Sequence, residues 1–203
     1  MPDAIQQTAP EQTKLAVTSF DAIPEIEIAH RKKTSDFSKP VLMTSLTLHS
    51  DQAQQLLEHS FARVNQTLYA TTRMMRAQNK LKEAKTAENQ LNGLFDGFSQ
   101  VLNATILDME KCLKAKSSND TITLAVYDHK RSFDVAIRTV YTHRLINLFQ
   151  RLDYLIALAD TMELQAVCSP DECDNTTKSW CRHFRKMLKA VNATRTPRSD
   201  AIG

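Results

Sequence analysis

The sequence predicts a mainly helical fold with two short β-strands, and three observations carry that prediction. The 203-residue chain has only three glycines, Gly93, Gly97 and Gly203, too few for a turn-rich all-β fold. Residues 51–85 contain neither glycine nor proline and are rich in Gln, Leu, Ala, Arg and Lys, the composition of a long helix or two abutting ones. Residues 41–48 and 121–127 instead alternate apolar and polar side chains with a period of two, as strands do.

Taken in order, residues 1–38 show no sustained period and read as a flexible N-terminal arm, with residues 23–28 the part most able to dock. Residues 39–192 read as a single domain, and 193–203 as a flexible C-terminal tail. The first strand places Leu42, Leu46 and Leu48 on one face and Met43, Ser45 and Thr47 on the other. Ser50 or Asp51 is placed to cap the next helix, whose buried candidates are Leu56, Leu57, Phe61, Val64, Leu68, Met75 and Leu81. A second helix over 87–116 carries Leu91, Leu94, Phe95, Phe98, Leu102, Ile106, Met109 and Leu113 at three-four spacing. Residues 117–120 break it. The second strand, 121–127, alternates Ile122, Leu124 and Val126, and Asp128 is the expected cap of a very apolar helix over 130–165. A last helix over 175–191 carries Trp180, Phe184 and Leu188.

A strand cannot leave its backbone groups unpaired. Residues 41–48 must pair within the chain, closing an ordinary small sheet, or with a second copy of themselves. Self-pairing would give a two-stranded antiparallel ribbon with Ser45 and Thr47 outward, a shape that fits a DNA major groove. Lys32, Lys33 and Lys39 lie just before the strand and suit phosphates. Arg73 and Arg76 share a helical stripe with Lys80, and Lys130 and Arg131 open the helix expected after the second strand, where free N–H groups favour anions. A solvated helix face explains any one of these charges equally well.

Other chemistry is thinly represented. The scarcity of glycine excludes Walker and Rossmann phosphate loops. No nucleophile–base or metalloprotease spacing occurs, so no enzyme is expected and no cofactor is implied. Cys168, Cys173, Cys181 and His183 are poorly spaced for zinc, because Cys181 and His183 point about 200° apart on a helix. Asp153 and Asp160 share a helix face, where hydrogen bonding or solvent exposure explains them more simply than a bound cation. The chain carries a formal charge of +3, with a basic run at Lys178, Arg182, Arg185, Lys186, Lys189, Arg195 and Arg198. It has no run of eighteen apolar residues and no signal-like start. A cytoplasmic protein with four reduced cysteines and no membrane contact is expected.

Two segments are familiar as a family. Leu46-Thr47-Leu48-His49-Ser50-Asp51-Gln52-Ala53 with Leu56-Leu57, and residues 122–127 through Phe133-Asp134-Val135-Ala136, Val140-Tyr141, Leu145 and Leu148, resemble the two blocks of the AcaB-like transcriptional regulators of conjugative plasmids and integrating conjugative elements. The resemblance spans about residues 39–166. It implies a ribbon-helix-helix-like reader of double-stranded promoter DNA that activates conjugative-transfer regulatory genes, with RNA polymerase as the partner an activator serves. A homodimer is expected as well, because two ribbons give the two-fold symmetry of a pseudo-palindromic site. Ser45 and Thr47 would then face bases, with Lys32, Lys33, Lys39, Arg73, Arg76, Lys130 and Arg131 on phosphates. The helix after Ser50 lacks the early turn of a compact ribbon-helix-helix, which leaves open whether residues 41–48 or 121–127 form the ribbon. The alternative is a helical adaptor of the conjugation machinery that binds protein and not DNA.

Overall fold

Strand β1 (Leu42–Leu48) runs where its alternation places it, and its partner lies in the same chain. The computed structural model describes residues 41–116 and 122–194; the N-terminal arm with Lys32, Lys33 and Lys39, and the tail from residue 195, lie outside them. The partner is β2 (Arg131–Ile137), antiparallel, with Leu42 opposite Ile137, Ser45 opposite Asp134 and Leu48 opposite Arg131. On the inner face of this ribbon Leu46, Leu48 and Val135 are buried, while Leu42 at its start is exposed. Self-pairing of β1 is therefore not needed to satisfy it.

Helix α1 (Asp51–Tyr69) continues through a π-helical turn, Ala70–Met74, into a last α-helical turn α2 (Met75–Ala77). The chain then breaks at Asn79, whose φ of 59° is left-handed. The break comes before Lys80, so Lys80 leaves the stripe shared by Arg73 and Arg76, and Leu81 is exposed rather than buried. Helix α3 (Leu81–Lys116) buries Leu91, Phe95, Leu102, Ile106, Met109 and Leu113 at the expected spacing.

The second half departs most from the sequence pattern. Residues 122–126 form no ladder. Ile122 and Leu124 pack on the core, Val126 is exposed, the Ala125 amide donates to Thr161 Oγ1 at 2.9 Å, and the Tyr127 hydroxyl donates to Asp160. Side chains tie this segment to the core, and the true strand begins at Arg131. Phe133 and Ile137, four apart, satisfy a helix period, but Phe133, Val135 and Ile137 also satisfy a strand period, and pairing with β1 decides for the strand. Helix α4 (Val140–Leu164) accordingly starts ten residues later than expected, capped by Thr139 and not by Asp128. It is the centre of the core, burying Leu145, Leu148, Phe149, Leu152, Leu155, Ile156 and Leu158.

Helix α5 (Pro170–Ala193) starts earlier than expected, because Ser169 and Glu172 form a capping box ahead of Pro170. Cys173 then sits on the first turn, and it is joined to Cys168 by a disulfide. Two of the four cysteines expected to be reduced are thus paired, while Cys112 and Cys181 are free. Trp180, Phe184 and Leu188 are buried, with Phe184 edge-to-face against Phe98 and tilted against Phe149.

The element order is strand, helix, helix, twice over, with α1 broken by its π turn. Leu46, Leu48, His49 and the N-cap Ser50 of the first half correspond to Val135, Ile137, Arg138 and the N-cap Thr139 of the second. The halves interlock: α1 packs on α5 and α4 packs on α3. One chain thus builds a two-stranded ribbon between two strand–helix–helix halves.

Candidate nucleic-acid interface

Because paired residues of an antiparallel ladder point to the same side, the outward face of the ribbon follows from the register. It carries Met43 opposite Ala136, Ser45 opposite Asp134, and Thr47 opposite Ser132. Ser45, Ser132, Asp134 and Met43 are exposed, and Thr47 Oγ1 hydrogen-bonds Ser132 Oγ at 2.8 Å across the strands. Ser45 and Thr47 stand together on this face, as their alternation with Leu46 requires. Ser132 and Asp134 were hidden from the sequence pattern because their strand reads as the first turns of a helix.

Each end of the ribbon is held by a buried polar side chain from the opposite half. At the end of β1, Asp153 of α4 accepts from the His49 and Ser50 backbone amides at 2.9 and 2.8 Å and from the Ser50 hydroxyl at 2.7 Å. Its Oδ2 also lies 3.0 Å from His49 Nδ1. Ser50 is the N-cap of α1, yet its hydroxyl turns to Asp153 rather than to its own helix. At the end of β2, Asn65 of α1 donates to the Ala136 carbonyl at 3.0 Å and accepts from Thr142 Oγ1 at 2.7 Å. Gln54 adds a clamp, its Nε2 donating to the carbonyls of Leu48, His49 and His129. These side chains fix the ribbon on a rigid base.

Basic residues lie beside both ends. Lys130 and Arg131 sit in the turn before β2 and at its first residue, not at a helix N-terminus, so the helix-dipole contact expected there does not form. Arg131 is ion-paired with Glu58 at 2.7 Å and lies over the Phe133 ring. At the other end, the start of α4 opens onto a groove of about 400 Å³ whose lining includes Arg73, Arg76, Arg144, Asn92 and Tyr141. Arg73 lies in the π-helical turn. Arg76 holds Glu88 through two hydrogen bonds of 2.9 and 2.6 Å, which raise its already high pKa. Arg144 pairs with Asp96 and lies over the Phe95 ring. The structure therefore brings Arg73 and Arg76 together in one groove and Lys130 and Arg131 together at the opposite ribbon end.

Beside Thr47 and His49 is a second hollow of about 320 Å³, lined in part by Tyr127, Gln150, Asp153 and Tyr154. Burial and a hydrogen bond to Asp160 raise the Tyr127 pKa strongly, and burial with a bond to Glu110 pushes Tyr154 up to about 12. Both phenols stay protonated and act as fixed donors. Asp153 and Asp160 are thus each engaged in hydrogen bonds.

No protein-family model matches the chain, and no curated protein matches it. Among solved structures the fold is similar to the crystal structure of selenomethionine-containing AcaB from uropathogenic E. coli, with a TM-score of 0.73. The two share 21% sequence identity over 78% of this chain and 80% of that one. The chain has an AcaB-like fold at low sequence identity to that protein.

Proposed function

We propose that the chain is a sequence-specific DNA-binding transcriptional regulator, an activator of conjugative-transfer regulatory genes that works beside RNA polymerase. One observation carries this reading. A two-stranded antiparallel ribbon presents small polar side chains outward, on a rigid base, with basic residues at both ends. Such a ribbon is of a size to enter a major groove, where side chains meet base edges while flanking cations meet phosphates. The sequence resemblance to the AcaB-like regulators and the AcaB-like fold support the same reading. Because β2 supplies the partner β1 needs, pairing of β1 does not by itself call for a second chain.

In this account Ser45 and Thr47 face bases, and Lys32, Lys33, Lys39, Arg73, Arg76, Lys130 and Arg131 serve phosphates. Arg73 and Lys130 are the best placed of the described set, because Arg76 is engaged with Glu88 and Arg131 with Glu58, and both must exchange those partners. The test is fluorescence anisotropy of labelled promoter duplexes across a salt series. The expected result is site-selective, saturable binding with a steep negative salt slope. Lys33→Ala should weaken binding to all sequences and flatten that slope by about one unit. Thr47→Ala should instead relax discrimination among sites.

A second reading is favoured by a specific surface. Between α3 and α5 runs an open apolar groove of about 520 Å³ lined by residues that include Gly93, Gly97, Phe98, Val101, Trp180 and Met187. Nothing lies within 4 Å of where a Cβ would stand on either glycine. A protein-binding adaptor would use this face and would respond little to salt.

A further inference from the structure

We infer that the reader is intrinsically asymmetric: one chain recognises a non-palindromic duplex, and Asp134 is a specificity-determining residue that selects an amino-bearing base. The inference rests on the DNA-reading function proposed above and concerns what that face reads.

Where two copies of one chain make a ribbon, the two-fold axis relates each outward residue to its own copy, and the DNA site is correspondingly palindromic. Here the strands are different sequences. The correspondence of Leu46 with Val135 and of Ser50 with Thr139 places Met43 with Ser132, Ser45 with Asp134 and Thr47 with Ala136. All three outward pairs differ in chemistry. Along the face the composition runs from paired hydroxyls, Thr47 and Ser132, through Ser45 and Asp134, to the apolar pair Met43 and Ala136. No two-fold duplex can be met equally by such a face.

Asp134 stands at the middle position of the seven-residue ladder, exposed and without an ion-pair partner among the described residues. An ionised carboxyl group only accepts hydrogen bonds, and it is repelled by phosphates. In a major groove it is matched by a base that donates, cytosine through N4 or adenine through N6, and opposed by the acceptor edges of guanine and thymine. The apolar end beyond it suits a thymine methyl group.

The experiment is selection from a pool of duplexes with a randomised 20-base-pair core, run in parallel with the wild-type chain, Asp134→Ala and Asp134→Asn. Circular dichroism verifies that the variants fold, and sedimentation counts the chains on the enriched duplex. The expected wild-type result is a motif without two-fold symmetry, bound by one chain, with one position favouring cytosine or adenine by about 5- to 100-fold. In Asp134→Ala that preference should collapse towards one while the rest of the motif persists, and binding to unselected duplex should hold or strengthen. Asp134→Asn, which also donates, should change the preferred base at the same position. A palindromic motif bound by two chains, or a motif unmoved by Asp134→Ala, overturns this inference and leaves DNA reading intact. Failure of the wild-type chain to enrich any duplex overturns both.

Discussion

The two ends of the ribbon are held by the same device made from different chemistry. At the first, Asp153 crosses from α4 and accepts from two backbone amides and a hydroxyl at the β1-to-α1 corner. At the second, Asn65 crosses from α1 and joins the β2-to-α4 corner through the Ala136 carbonyl and Thr142. Asn65 belongs to a neutral network with Thr139 and Thr142. Asp153 is a buried carboxyl group satisfied wholly by donors from the opposite half. The difference teaches where the fold is most vulnerable. Each corner is a strand end and a helix start, so each concentrates orphan N–H groups that must find acceptors.

The comparison breaks most sharply at Asp153. Asp153→Ala leaves the His49 and Ser50 amides and the Ser50 hydroxyl without their acceptor, and should cost about 3 to 5 kcal/mol in urea unfolding. A loss below about 1 kcal/mol would show that water replaces the carboxyl group at this corner. Asn65→Ala removes a neutral donor and acceptor from a corner where Thr139 still caps α4, and should cost about 1 to 2 kcal/mol. Equal losses at the two sites would mean that charge contributes nothing to the difference.

The smallest effect lies away from both corners, at the exposed capping box of α5. Hydrogen bonds from the Ser169 amide and hydroxyl hold the Glu172 carboxyl group below its ordinary range. A depressed folded value means that its contribution is present above the unfolded pKa and is lost as pH falls through the folded one. Thermal unfolding of wild type and Glu172→Gln should therefore differ slightly near neutrality and converge in acid, as the pH falls through the depressed folded value. A gap that persists at pH 2 would place the effect in packing rather than in ionisation.

Most of the helical core was legible from the sequence, because periods long enough to average over several turns are hard to mistake. Leu91, Phe95, Leu102, Ile106, Met109 and Leu113 mark α3 with no competing pattern. The face of β1 was legible for the same reason: Leu46 and Leu48 point inward only if Ser45 and Thr47 point outward. The second strand was not, because seven residues containing Phe133, Val135 and Ile137 satisfy two periods at once, and the ladder that decides between them comes from a strand far away in sequence. Residues 122–127 show the converse, an alternating pattern fixed by side-chain bonds to α4 instead of a ladder. Losing β2 also hid the internal correspondence, and with it Ser132 and Asp134. Arg131 was placed at a helix start for the same reason. Asn65 and Gln54 give no local signal, since what they hold comes from outside their own helix or from its cap.

The most direct test compares the ribbon with the apolar groove between α3 and α5. Amide chemical shifts of the labelled chain, titrated with a bound promoter duplex, report which surface the DNA touches. The account predicts perturbations at Met43, Ser45, Thr47, Ser132, Asp134 and Ala136 and at the basic residues beside the ribbon ends, with Gly93, Gly97 and Val101 unmoved. Perturbations confined to the α3 and α5 groove, or none at saturating duplex, would contradict it and leave the protein-binding adaptor as the better account.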